Sequence, residues 1–333
     1  MGMSVMEGRM SVPELPDVTA LSRVVAVING KGGVLKTSIV ANVAGCLAKS
    51  MKVLVIDLDI SGNLKMDLGM TQAAEDDAGK SVVDAVWSGA DLQIVREVRP
   101  NLDMVFGGRA LEMLSSLAKS TVSDDLPTGS IATEFAARLA EVADDYDLIL
   151  LDCPPGNGDL QDMALTASRW VLIPTKTDPG SWDGLLGVGP RVKKARTLNP
   201  DLSYLGVVVT AHNPQATRVM RNTKVRLEEV GETVPLLQAY VRHSESSAHD
   251  CRYRGQLAYE LAADVDANRT ERLEALSARR RGADPLDNVI PLPVALSGTA
   301  DSLAGDYDRL SAEICARISA AETGVTYLAG AEA

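Results

Sequence analysis

The sequence predicts an α/β protein built on a doubly wound, mostly parallel sheet flanked by helices. Three features predict it. From position 23 to 50 a short β-branched run meets a glycine cluster and then a segment with apolar residues at helical spacing. Other short runs, such as KVLVIDLD at 52–59, are apolar almost without interruption, as strands covered on both faces must be. These runs alternate with helical patterns, which right-handed βαβ units require.

Taken in order, RVVAVI (23–28) is the first strand and TSIVANVAGCLAKS (37–50) the first helix, with apolar residues at 39, 40, 43, 44 and 47. KVLVIDLD is the second strand and ends in two aspartates. Between 81 and 143, SVVDAVWSG and SIATEFAARLAEVADD read as helices around one strand, NLDMVF, which runs into a Gly-Gly turn at 107 and 108. YDLILLDCPP (146–155), RWVLIPT (169–175) and YLGVVVTAH (204–212) are three further buried strands, and VPLLQAYV adds another. SLAGDYDRLSAEICARISAAE (302–322) is a closing helix. The expected organisation is a flexible tail over 1–22, one α/β domain over 23–262, a charged and then proline-containing helix and linker inserted at 263–294, and a C-terminal helix over 295–333 that packs back on the domain and ends in a short tail.

A chain of 333 residues that is 46% hydrophobic is long enough for a large core. No apolar run approaches the roughly 20 residues that span a bilayer, so no membrane partner is expected. The first 22 residues lack the charged start, apolar stretch and cleavage site of a signal peptide. Cys46, Cys153, Cys251 and Cys315 are far apart and form no CxxC pair, which argues against a disulfide framework or zinc site and fits a reducing cytoplasm. The net charge is -12, but unevenly spread: residues 1–150 carry 13 basic against 21 acidic side chains, while 151–260 carry 13 against 12.

The segment NGKGGVLKTS (29–38) carries the chemistry. A glycine-rich loop between a buried strand and a helix aims several backbone N–H groups at one place, where the helix dipole also favours a polyphosphate. Lys36 then reaches phosphate oxygens, and the Thr37 hydroxyl is a Mg2+ ligand. From Gly30 the loop reads G-K-G-G-V-L-K-T, with an extra lysine, Lys31, and no glycine before Lys36.

This loop resembles the deviant Walker A motif, KGGxxK[ST], of the ParA/MinD family of P-loop NTPases. VLVIDLDISGN (53–63) is similar to that family's second motif, YDLILLDCPPGNGDL (146–160) to its Walker B strand and switch, and NPDLSYLGVVVTAHNPQATR (199–218) to its later strand and loop. The likeness runs in order over about residues 23–260. It implies an ATPase with ATP and Mg2+ as cofactors. Gly30, Lys31, Gly32, Gly33, Val34, Leu35, Lys36, Thr37 and Ser38 would line the nucleotide, together with Asp57, Asp59, Asp152 and Pro154; Thr37, Asp57 and Asp152 would serve the metal. Lys31 matches the signature lysine that reaches across an ATP-bound homodimer, acting as a cation given in trans. Asp59 would orient the attacking water, so Lys31, Lys36 and Asp59 are the catalytic candidates. Leu35 stands where a flexible glycine is usual and Ile60-Ser61 where Pro-Gln is usual, departures from which slow turnover or weakened nucleotide affinity is expected.

The resemblance further implies a partition ATPase that binds DNA without sequence preference when ATP-bound, is associated with the nucleoid in the cytoplasm, and is released by a ParB-like centromere-binding partner. The DNA candidates are Lys193, Lys194, Arg196, Arg218, Arg221, Lys224, Arg242 and Arg252. Two alternatives remain open: a positioning ATPase for a non-DNA cargo, and a nucleotide-dependent DNA-binding regulator with little catalysis. The C-terminus carries no basic amphipathic helix of the kind that tethers to membranes, and the cysteines are not placed for an iron–sulfur cluster.

Overall fold

The computed structural model describes residues 18–120, 126, 130–213, 217–229, 234–280 and 296–324. After a short 3-10 turn at Val18–Leu21, strand β1 (Val24–Val27) leads through the glycine loop into helix α1 (Lys36–Leu47). Strands β2 (Val53–Asp57), β4 (Leu102–Val105), β5 (Leu148–Asp152), β6 (Trp170–Thr175), β7 (Ser203–His212) and β8 (Leu236–Arg242) fall where the apolar runs place them. They form one eight-stranded sheet in the order β3-β4-β2-β5-β1-β6-β7-β8, parallel at every junction except one. The exception is β3 (Val95–Arg99), which runs antiparallel to β4 along an edge. Sequence reading misses it because VREVR is mostly charged: an edge strand has one ladder and little to bury, so no apolar run announces it.

Strand alternation divides the core between the two faces. Val24, Ala26, Leu54, Ile56, Ile149 and Leu151 point to the side covered by α3 (Lys80–Ser88), α5 (Ile131–Ala143), α6 (Gly158–Thr166) and α8 (Val188–Ala195). Val25, Val27, Val53, Val55, Leu148 and Leu150 point to the other side, against α1 and α12 (Ala300–Glu322). Burial on both faces is why these strands read as continuous apolar runs. Helix starts follow capping chemistry: Ser130 accepts the Thr133 N–H ahead of α5, and Asn157 accepts the Leu160 N–H ahead of α6.

The closing helix also shields the far edge of the sheet. Glu313 of α12 accepts the backbone N–H groups of Gln238 (3.1 Å) and Ala239 (2.8 Å) on β8, supplying partners that a further strand would otherwise offer. Asp306, fully buried on the same helix, accepts the Arg242 N–H (2.9 Å) and holds the Arg242 guanidinium at 2.6 and 2.8 Å.

Helix α11 (Ala258–Arg280) starts before the position where the inserted segment was expected and runs through it as far as Arg280; residues 281–294 of that segment, like residues 1–17 of the expected tail, lie outside the described residues. Among the described residues no helix is long and apolar enough to cross a membrane.

Candidate nucleotide site

The three strands that meet at the centre of the sheet bring the motifs together. Register pairs Val27 with Asp152 and Asp152 with Asp57, so the glycine loop and both strand-end aspartates lie side by side at the carboxyl edge, where doubly wound sheets bind ligands. Asn29 fixes the start of the loop. Fully buried, it donates from Nδ2 to the Pro174 carbonyl on β6 (2.9 Å) and accepts the Lys31 N–H at Oδ1 (2.8 Å).

The loop itself turns twice through the left-handed region, at Gly33 (φ +73°) and at Leu35 (φ +67°, ψ 25°). The glycine expected at 35 is thus called for by the backbone. For a leucine this conformation costs about 1–2 kcal/mol. Its side chain offsets part of that by packing, half-buried, against the α1 and α12 side of the core.

The two lysines are placed very differently. Lys36, the first residue of α1, is buried, and its Nζ donates to the Lys31 carbonyl (3.1 Å), folded over the loop where phosphates would lie. Burial lowers its pKa, opposed by the charge of Asp152. Lys31 is half-exposed and turned away, its Nζ paired with Asp178 Oδ1 at 2.5 Å. Asp178 caps α7 (Pro179–Leu186), accepting the Ser181 N–H (3.1 Å) and Ser181 hydroxyl (2.6 Å); these bonds, Lys31 first, hold its carboxyl far below the usual range. Sequence reading misses Asp178, although an aspartate followed by proline just after a buried strand is a helix-start signal.

Asp152 is buried, and neither carboxylate oxygen has a hydrogen-bond partner. Burial raises its pKa well above normal, with the neighbouring Asp57 adding to the shift; the nearby Thr37 hydroxyl and the charge of Lys36 oppose it. Such a group is costly unless something positive is brought to it. Asp152, the Thr37 hydroxyl beside it and the phosphate-facing loop therefore suit Mg2+, which takes one or two carboxylates and completes its shell with phosphates and water. No group of three or more His, Cys, Asp or Glu side chains among the described residues could hold a metal unaided.

Asp57, expected to serve the metal, binds backbone amides with both carboxylate oxygens. Its Oδ1 accepts the Asp59 N–H (2.9 Å) and its Oδ2 the Leu64 N–H (3.1 Å), shaping the loop that leads into α2 (Leu64–Asp67). Burial pushes its pKa up to about 7, against those two bonds. Asp59 is partly exposed at the loop tip and accepts the Ser61 N–H (2.9 Å). Pro154 is buried, its carbonyl accepting from Gln161 Nε2 (2.7 Å), and Gly32 faces the adjacent Pro155. Ser38 bonds Asp67 (3.2 Å) rather than facing the loop, and Asp67 in turn holds Arg252 (2.8 Å).

The eight basic candidates divide evenly. Arg242 is held by Asp306, Arg252 by Asp67, Lys194 by Asp162 (2.7 Å), and Arg196 donates to the Leu202 carbonyl (2.9 Å) and lies over Tyr204. Lys193 on α8 and Arg218, Arg221 and Lys224 on α9 (Thr217–Glu229) are exposed and make no ion pair among the described residues.

Asp152→Asn separates the cost of this carboxylate from its use. A raised folded pKa means that the folded chain holds the proton more tightly, so the stability it contributes is present at acid pH and lost as pH rises through that value. Without nucleotide, the variant should melt a few degrees above the parent at pH 8, with the gap closing as pH falls. With Mg2+ and ATP it should lose most of the stabilisation that the parent gains; thermal denaturation from pH 5 to 9 reads both.

The AAA domain family matches residues 22–204 of this chain. The sporulation initiation inhibitor protein Soj of Bacillus subtilis is 32% identical over 269 residues, covering 74% of this chain and all of Soj. The chromosome-partitioning ATPase Soj of Treponema pallidum is 26% identical over 267 residues, covering 76% of this chain and all of that protein. Among solved structures, Cyanothece McdA superposes in its apo form with a TM-score of 0.62 at 20% identity, covering 72% of this chain and 92% of McdA. Together with the strand order and the loop, these matches place the chain in the ParA/MinD family of deviant Walker A ATPases, beside the Soj-like ParA proteins.

Proposed function

We propose that this protein is a partition ATPase that dimerises on binding ATP, binds DNA without sequence preference in that state, and is released when a ParB-like partner stimulates hydrolysis. The observation that carries the reading is the position of Lys31. A lysine serving its own nucleotide belongs inside the loop, where Lys36 already is. Lys31 instead sits half-exposed at the rim, held by an ion pair of a kind that contributes only about 0.2–1 kcal/mol. Phosphate charge presented by a second subunit is enough to draw it off Asp178.

On this reading Lys36 and the loop N–H groups hold the phosphates, and Thr37 and Asp152 would hold Mg2+, which when bound would supply positive charge beside them. Asp59 orients the attacking water, and Asp57, by bonding the Asp59 and Leu64 N–H groups, sets where Asp59 stands. Lys31 supplies a cation to the partner's phosphates, so hydrolysis removes the reason to remain paired. The DNA surface is the exposed set Lys193, Arg218, Arg221 and Lys224, in a cytoplasmic protein that joins the nucleoid while ATP-bound. The net charge of -12 and the engagement of the other four basic candidates favour, as a second reading, a positioning ATPase with a protein cargo.

Binding to duplex DNA with ATP, ADP and no nucleotide tests this directly. ATP-dependent binding that Lys31→Ala abolishes is expected. Four phosphate contacts per protomer predict a loss of roughly a hundredfold per protomer between 50 and 200 mM salt. No binding in any state rejects the DNA surface and leaves the protein-cargo reading.

Leu35 predicts slow chemistry. Leu35→Gly removes the left-handed strain together with some packing, so stability should change by less than about 1 kcal/mol, while ATP affinity or turnover should rise severalfold. A variant no better than its parent in both contradicts the idea that Leu35 restrains the site.

A further inference from the structure

We propose that helix α7 carries the state of Lys31 to the basic face of α9, so that a nucleotide bound at the loop controls how that face is presented. The inference rests on the reading of Lys31 as the residue that leaves Asp178 when ATP binds, and it adds the route by which that departure is felt.

Three contacts define the route. At its N-terminus α7 is capped by Asp178, the residue that holds Lys31, so removing the lysine changes the charge and the bonding at that cap. Along its length α7 lies directly on the nucleotide loop. A Cβ at Gly184 would stand 2.3 Å from Asn29 Oδ1 and 2.9 Å from the Lys31 nitrogen, and the Gly30 N–H points at the Gly184 carbonyl (3.4 Å). Only a glycine allows so close an approach, and a shift of the Lys31 backbone is therefore passed to α7 without compliant side chains between them. On its outer side α7 meets α9: the Arg226 guanidinium lies over the Trp182 ring, 5.8 Å from its centroid.

Helix α9 turns this contact into an output. Thr223 and Leu227 face the body of the protein and are buried, while Arg218, Arg221 and Lys224 recur every three residues on the opposite, exposed side. Arg226 sits between these two faces and is the member of the basic series that touches α7. Alongside α7 and α8 an open groove of about 450 Å3, lined by Leu185, Leu186, Pro190 and Tyr204, leaves that flank facing solvent. On the proposed route a displacement of α7 is passed to α9 through Trp182 and Arg226.

Hydrogen exchange of the α9 amides, followed with and without a non-hydrolysable ATP analogue and Mg2+, tests the route independently of any DNA. In the parent protein the analogue should change α9 exchange severalfold. Arg226→Gln, on an exposed face, and Trp182→Leu should each remove at least half of that response while binding the analogue within about twofold of the parent. With duplex DNA present, Arg226→Gln should also lower the ratio of affinities in ATP and ADP roughly two- to fivefold. Exchange in α9 that ignores the nucleotide in the parent, or that responds fully in both variants, overturns the proposal. A response lost in Arg226→Gln, with no DNA binding by any form, upholds the route and rejects DNA as the ligand of α9.

Discussion

Much of the carboxyl edge of this sheet depends on one carboxylate, Asp152, which the fold buries and leaves without a hydrogen-bond partner. A charge in that position is destabilising by more than any single contact nearby returns. Three parallel strands nevertheless converge to put it there, with Asp57 beside it in register and Lys36 close enough to moderate its pKa. The arrangement makes physical sense as one half of a site whose other half is brought in from solution. A metal–polyphosphate, if bound there, would supply the positive charge that Asp152 lacks and the negative charge that suits Lys36 and the loop amides.

Around that centre, the two lysines of the loop divide the work by burial. Lys36 is enclosed and has nowhere else to point; Lys31 is held at the rim by a weak pair with Asp178. A weak restraint fits the proposed role of Lys31, because a strong one would have to be overcome each time ATP bound. Leu35 shows the same economy in reverse. It accepts backbone strain at the loop and recovers part of it through packing, so the loop is held in shape even though its sequence departs from the glycine that the geometry favours.

The fold was largely legible in the sequence because its strands are buried on both faces and therefore lack polar interruptions; β2 and β5 end on the two aspartates that register sets side by side. The strand that escaped, β3, lies at an edge where charged residues are tolerated. At the site, the glycine loop and its Lys-Thr pair stand out in the sequence because they lie within one short segment between a strand and a helix. Asp178 could not, because its importance comes from a contact across 147 positions of chain. The same limit applied to the basic candidates. Arg242 and Arg252 look available in sequence, and only the fold brings Asp306 and Asp67 against them.

The most direct measurement of the central claim, that Lys31 acts across a nucleotide-bound pair of chains, is the molecular mass in solution by sedimentation equilibrium with Mg2+ and either ADP or a non-hydrolysable ATP analogue. A single-chain mass is expected with ADP, twice that mass with the analogue, and a single-chain mass again for Lys31→Ala with the analogue bound. A parent protein that stays monomeric when saturated with the analogue, or a Lys31→Ala variant that pairs as well as the parent, would contradict it.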